Sequence, residues 1–374
     1  MSDDFDPDDE REGGEAEDSP PILQPRENPD LTGHAAAETA LLEAYRSGRL
    51  PHAWLLTGPR GIGKATLAFR FARFLLAQSG QAGGLFAAPP VNLRVGPDDP
   101  VFRRIAAGAH GDLLLIEKAY DPKRRRYRSE IVVEDVRQIA DFFHLTSAEG
   151  GWRIVIIDGA DDMNRNAANS LLKVLEEPAE RALLLVTTLS AGRLLPTILS
   201  RCRRLPMNLL SDSQVSDLLK KYRPGLGSEE TVLLVRLAEG SIGRALDLAE
   251  AGGLGLYREL GALLASLPSL NAASLDGFAD RMGRFGGESA FRLMAELLSG
   301  WLARMVTGAA SGRSTAILPE EGAAMTRLAA RASLDRWGEV WEKLNRLFGL
   351  VDAVNLDRKQ AVLNAFFTLE EASR

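Results

Sequence analysis

One cysteine, Cys202, stands in 374 residues. That excludes a disulfide framework and any zinc module built on cysteines. Histidine is scarce as well. His34, His52, His110 and His144 lie far apart without metal-ligand spacing, so no histidine-held metal is expected. No apolar run approaches the roughly 18 residues that span a bilayer. The first residues are acidic where a secretory leader is basic. Together these absences lead to the expectation of a cytoplasmic protein with no membrane partner.

What is present has the balance of a globular chain, with 45% hydrophobic and 26% charged residues, and the length fits two or three domains. The net charge of −6 is unevenly spread: residues 1–18 hold ten acids against Arg11 alone, a local charge of −9. The remainder is therefore about +3, so an acidic total does not argue against a nucleic-acid partner. Residues 1–30 are rich in acid, proline and glycine, and are expected to be a disordered tail.

From residue 31 short apolar runs alternate with helical patterns. Strands are expected at Ala53–Thr57, Leu113–Glu117, Arg128–Val133, Arg153–Ile157 and Leu183–Thr188. Helices are expected at 35–46, 64–77, 134–143 and 166–177, the last stopped by Pro178, with a Gly/Pro-rich loop over 79–100. That alternation implies a parallel α/β sheet. After residue 208 only helical patterns remain. The expected domains are a P-loop domain at 31–208, a small helical lid at 209–253 and an all-α segment at 254–374.

The first chemical motif is Gly58-Pro-Arg-Gly61-Ile-Gly63-Lys64-Ala65-Thr66, placed after a strand and opening a helix. Glycines there let backbone N–H groups close around phosphate, with the helix N-terminus and Lys64 adding positive charge. The pattern wants a hydroxyl directly after the lysine for magnesium. Ala65 stands there, and Thr66 lies about 100° further round the helix. A nucleotide cradle and a purely structural turn both remain open. The second motif is Asp158, ending an apolar strand at the sheet edge where ligands bind. Its neighbours Asp161 and Asp162 are displaced along the loop. Thr187 and Thr188 end the next strand, and read equally as a polar sensor or as strand packing.

Three longer segments resemble bacterial clamp-loader subunits of the AAA+ class: Asp158 to Pro178, Leu194 to Cys202, and Gly240-Ser-Ile-Gly243-Arg244. So does the approach Gly48-Arg-Leu-Pro51-His52-Ala-Trp54. The resemblance covers about residues 31–250. It implies an ATP site made by Gly58, Gly61, Gly63, Lys64, Ala65, Thr66, Asp158, Thr187, Thr188 and Arg244. It also implies a candidate catalytic residue, Arg201, acting as an arginine finger in a neighbouring subunit. Two departures weaken the chain's own chemistry: Ala65 follows the lysine, and Gly159 stands where such ATPases carry a glutamate after the aspartate. With the chain ending after one further helical segment, these favour the delta-prime branch over the gamma/tau motor branch.

The implied partners are gamma/tau motor subunits and a delta subunit in a hetero-oligomeric ring, with the sliding clamp and primed DNA reached through the complex. ATP is then a ligand whose magnesium site is in doubt. Zinc is not expected, because residues 79–110 lack the four cysteines that many relatives carry. The C-terminal helices would be a collar for oligomerisation. An active motor ATPase and a nucleotide-free scaffold are the alternatives. The polymerase holoenzyme's nucleotidyl transfer has no site in these residues. The basic run Lys123 to Arg128 reads as a solvated turn or a phosphate-backbone contact.

Overall fold

Short apolar runs become the strands of one parallel sheet. The computed structural model describes residues 21–79, 90–121, 126–284, 287–354 and 356–374. In chain order the strands are β1 (Ala53–Thr57), β2 (Leu113–Ile116), β3 (Tyr120–Asp121), β4 (Arg126–Tyr127), β5 (Arg153–Ile157), β6 (Ala182–Thr188) and β7 (Arg203–Pro206). The sheet order is β2-β5-β6-β1-β7, every pairing parallel, while β3 and β4 form a separate antiparallel pair.

Contacts divide the chain into two units. The first takes residues 1–226 and 239–244, the second 227–238 and 245–374. The first unit carries α1 (Ala35–Arg46), α2 (Lys64–Ser79), α3 (Pro100–Ala106), α4 (Val133–His144), α5 (Arg165–Glu176), α6 (Pro196–Leu199) and α7 (Asp212–Tyr222). Alternate residues of the central strands serve opposite layers, as a pleated sheet buried on both faces requires. Trp54, Leu56, Ile154 and Ile156 pack with Leu67, Phe71 and Phe74 of α2. Leu55, Val155, Ile157 and Val186 pack with Ile139 of α4 and Leu171 of α5.

The second unit is helical throughout its described residues: α8 (Ser228–Ala238), most of α9 (Ile242–Glu250), α10 (Gly253–Ser266), α11 (Ala272–Gly283), α12 (Glu288–Ser311), α13 (Glu321–Ala329), α14 (Leu334–Val354) and α15 (Arg358–Ser373). Its centre holds Tyr257, Phe278, Phe291, Trp301, Trp337 and Phe366, all buried. The segment 209–253 contributes α7 to the first unit and α8 to the second.

The α/β sheet followed by helices is the fold read from the sequence. Three local expectations change. Arg128–Val133 is not a strand: Ile131 makes one isolated bridge to Met163, and α4 already begins at Val133. Its β-branched run is cut short because the Asp135 carboxylate accepts the Val132 N–H at 3.0 Å and fixes the helix start. Residues 26–30, expected to be part of the disordered tail 1–30, are held. Arg73 donates to the carbonyls of Arg26 and Asn28, Arg70 donates to that of Pro29, and Lys221 pairs with Asp30 at 2.9 Å. The unexpected strand β7, with the sequence Arg-Arg-Leu-Pro, is an edge strand, where charge and proline are tolerated. Residues 1–20 of the tail, 80–89 of the loop 79–100 and 122–125 of the basic run lie outside the described residues.

Candidate functional site: the phosphate loop and the Arg201 segment

The carboxyl edge of the sheet gathers the candidate nucleotide residues. β1 ends at Thr57, in register with Thr188 at the end of β6. The Gly58 N–H donates to the Thr188 carbonyl at 3.3 Å, starting the loop that leads into α2. Gly58, Gly61 and Gly63 all have positive φ, at 151°, 75° and 107°. Glycine reaches that region without steric cost, so the loop's shape depends on those three positions.

All five carbonyls from residue 58 to 62 are engaged by the chain itself. The Lys64 ammonium donates to Gly58 and Pro59 at 2.7 and 2.6 Å. The Ser241 hydroxyl donates to Arg60 at 2.7 Å, and the Gly243 N–H to Gly61 at 2.9 Å. His34 Nε2 donates to Ile62 at 2.6 Å. Burial pulls the Lys64 ammonium below its ordinary range, against the opposing pull of Asp158 and Asp161. His34 is likewise buried, and burial lowers its pKa below 6.5.

Asp158 follows β5, and its carboxylate accepts the Thr187 hydroxyl at 2.6 Å. Gly159 N–H in turn donates to Thr187 Oγ1 at 2.9 Å. Asp161 accepts the Thr188 hydroxyl at 2.8 Å and the Leu189 N–H at 2.5 Å. Asp162 pairs with Lys118 at 2.9 Å. The two threonines thus tie the end of β6 to the acids beyond β5. Glu117, beyond β2, is raised above the usual carboxylate range by burial and by the charge of Asp158.

The glycine loop, the start of α2 and Lys64 are the groups that would hold a triphosphate, and here the Lys64 ammonium is turned onto the Gly58 and Pro59 carbonyls. For magnesium the donor set is short of the hydroxyl that Ala65 replaces. Thr66 is half-buried one position on. Among the described residues no group of His, Cys, Asp and Glu is arranged to hold a metal ion, and no helix is long and apolar enough to cross a membrane.

Arg244 lies in α9. Its backbone N–H donates to Ser241 at 3.2 Å and its guanidinium pairs with Glu239 at 3.4 Å. Arg201 takes part in none of these loop contacts. It follows α6, where its guanidinium donates to Glu176 at 2.9 Å and to the Thr197 carbonyl at 3.0 Å. Ser241 and Glu176 lie within the segments that carry the resemblance, but the sequence gives them and His34 no individual role, because their partners lie 181, 25 and 28 residues away.

A parallel sheet in this order, with a glycine-rich loop between β1 and α2 and Asp158 just beyond β5, is the arrangement of a P-loop α/β domain. Residues 33–211 match the sequence profile of the family described as "DNA polymerase III, delta subunit". The chain is 35% identical over 190 residues to DNA polymerase III subunit delta' of Pseudomonas aeruginosa, covering 51% of this chain and 53% of that one. It is 31% identical over 282 residues to subunit tau of Escherichia coli, covering 73% of this chain and 40% of that one. With subunit delta' of Bacillus subtilis the figures are 32% over 179 residues, 48% and 49%. The matched part is thus about half the length of these relatives. Over these residues the chain is similar to delta' and tau subunits of DNA polymerase III.

Proposed function

We infer that this chain is a delta-prime-type subunit of a clamp loader. In this reading it joins gamma/tau motor subunits and a delta subunit in a ring that opens the sliding clamp and places it on primed DNA. It hydrolyses no ATP of its own and presents Arg201 to a neighbour's ATP. An arginine beside a γ-phosphate neutralises charge that develops during transfer, an effect of about 10³–10⁵ in rate where it has been measured. The observation that carries the reading is the condition of the chain's own site. Ala65 and Gly159 stand where a magnesium hydroxyl and a water-polarising glutamate are needed. The nearby acids do not replace the glutamate, since Asp161 holds Thr188 and Leu189 and Asp162 pairs with Lys118.

If ATP binds, Gly58, Gly61, Gly63 and Lys64 hold its phosphates, with Ala65 and Thr66 in the first turn of α2. Lys64 must then turn from the two carbonyls it now serves. Arg244, Asp158, Thr187 and Thr188 border that space in this reading. The cytoplasm is the expected compartment.

A second reading, an active gamma/tau-type motor, is favoured by the longer match to subunit tau and by Thr66. Two measurements separate them. The isolated chain with magnesium and ATP is expected to show no turnover above background. Turnover near that of an ordinary AAA+ ATPase, abolished by Lys64→Ala, would establish the motor instead. In a complex with motor subunits, delta, clamp and primed DNA, Arg201→Ala is expected to cut ATP turnover at least tenfold while assembly persists. Unchanged turnover would leave Arg201 a structural residue.

A further inference from the structure

Arg201 is held before any neighbour meets it. Its Nη2 donates to Glu176 Oε1 at 2.9 Å and its Nη1 to the Thr197 carbonyl at 3.0 Å. Glu176 is the last residue of α5, and Thr197 lies in α6. These carriers form one piece: Leu194, Ile198 and Cys202 are buried in the same core as Ala167, Leu171 and Leu175 of α5. The carboxylate and the arginine therefore sit on a common packed support and not on independent loops.

We propose that Glu176 is the positioning residue for Arg201, fixing the guanidinium in the orientation that a neighbouring subunit's phosphate meets. The inference rests on the reading of Arg201 as a residue acting in trans. A guanidinium has five N–H donors. Nη2 gives one N–H to Glu176 and Nη1 serves both the Thr197 carbonyl and, at 3.4 Å, the Ser200 hydroxyl, so Nε and the second N–H of Nη2 remain for a phosphate oxygen. An unrestrained arginine side chain must give up rotamer freedom when it docks, and a side chain already held gives up less. Competition with the phosphate is the opposite possibility, and exposure argues against it. The Arg201 and Glu176 side chains are 35% and 50% exposed and meet through a single oxygen. A water-accessible pair of this kind is weak. It can bias a rotamer, but it cannot hold a guanidinium away from a triphosphate.

The test is steady-state ATP turnover by the assembled complex of motor subunits, delta, clamp, primed DNA and this full chain. The chain is supplied as wild type, Glu176→Ala, Glu176→Gln, Arg201→Ala or the double alanine variant, with assembly checked by gel filtration. Glu176→Ala is expected to lower kcat about two- to fivefold, the scale of a surface ion pair, with KM for ATP unchanged. Glu176→Gln keeps an acceptor oxygen and is expected to retain most of the wild-type rate. Adding Glu176→Ala to Arg201→Ala is expected to change nothing further.

If Arg201→Ala is slow but Glu176→Ala equals or exceeds wild type, Glu176 is a bystander or a competitor and the inference is overturned. A loss that persists in the Arg201→Ala background marks general damage to α5 and overturns it equally. If Arg201→Ala itself leaves turnover intact, the trans reading of Arg201 has failed, and the positioning role fails with it.

Discussion

Gly61 has no room for a side chain. A methyl group there would meet Ser241 Oγ at 2.6 Å and Gly243 Cα at 2.9 Å, and its φ is 75°. Gly61→Ala is therefore expected to cost about 1–3 kcal/mol, from positive-φ strain and a backbone collision, read as a lower urea midpoint. His34 makes a second residue-scale prediction. Its pKa is lowered from 6.5, chiefly by burial, so it is neutral in the fold. As pH falls through 6.5 the unfolded chain takes up a proton before the folded one does. The stability that His34 contributes is thus full above about pH 6.5 and is lost as pH falls toward the folded value. His110 is lowered for the same first cause, burial, and adds in the same direction. The urea midpoint at pH 5.5 is expected to lie below that at pH 7.5. The gap should narrow in His34→Gln, whose amide can still donate to Ile62. An equal gap in the variant would count against His34 as a source of the loss.

At the scale of elements, the strap over residues 26–30 depends on α2. Arg73 is 1% exposed, its guanidinium lies 4.6 Å from the Phe102 ring centroid, and its hydrogen bonds to the strap go to the carbonyls of Arg26 and Asn28. Burial, with the charge of Arg70, lowers its pKa to about 10, so it stays charged at neutral pH. Arg73→Met removes the donor from both carbonyls and is expected to cost about 1–3 kcal/mol. Cleavage within 24–30 should appear early in limited proteolysis; a strap as resistant as in wild type would show that Arg73 does not hold it.

The same helix shows what the sequence could and could not convey. Its apolar spacing predicts α2, and the glycine loop before it predicts the strand–loop–helix turn, because both signals are local. Nothing local distinguishes Arg73 from a surface arginine, since its partners lie 45 and 47 residues earlier. The β7 strand is not legible in the sequence for a related reason: two arginines, a leucine and a proline carry no strand periodicity, and only pairing with β1 makes them one. In the candidate site the phosphate loop, Asp158 and Arg201 were legible as motifs. The contacts that engage them, from His34, Ser241 and Glu176, were not.

At the scale of the whole molecule, a single thiol offers a readout of opening. Cys202 adjoins Arg201, is buried in the layer beneath α5, and has its pKa raised by burial to about 11. At pH 8 its thiolate fraction is on the order of 0.1%, and access is closed as well. Alkylation of the native chain is expected to be slow and to rise steeply through the urea transition, with the modification confined to one peptide. Rapid modification under native conditions would mean that the Arg201 segment opens readily. Because no other cysteine exists in the chain, the rate of mass gain is a clock, set by how often this one corner of the fold lets a small electrophile in.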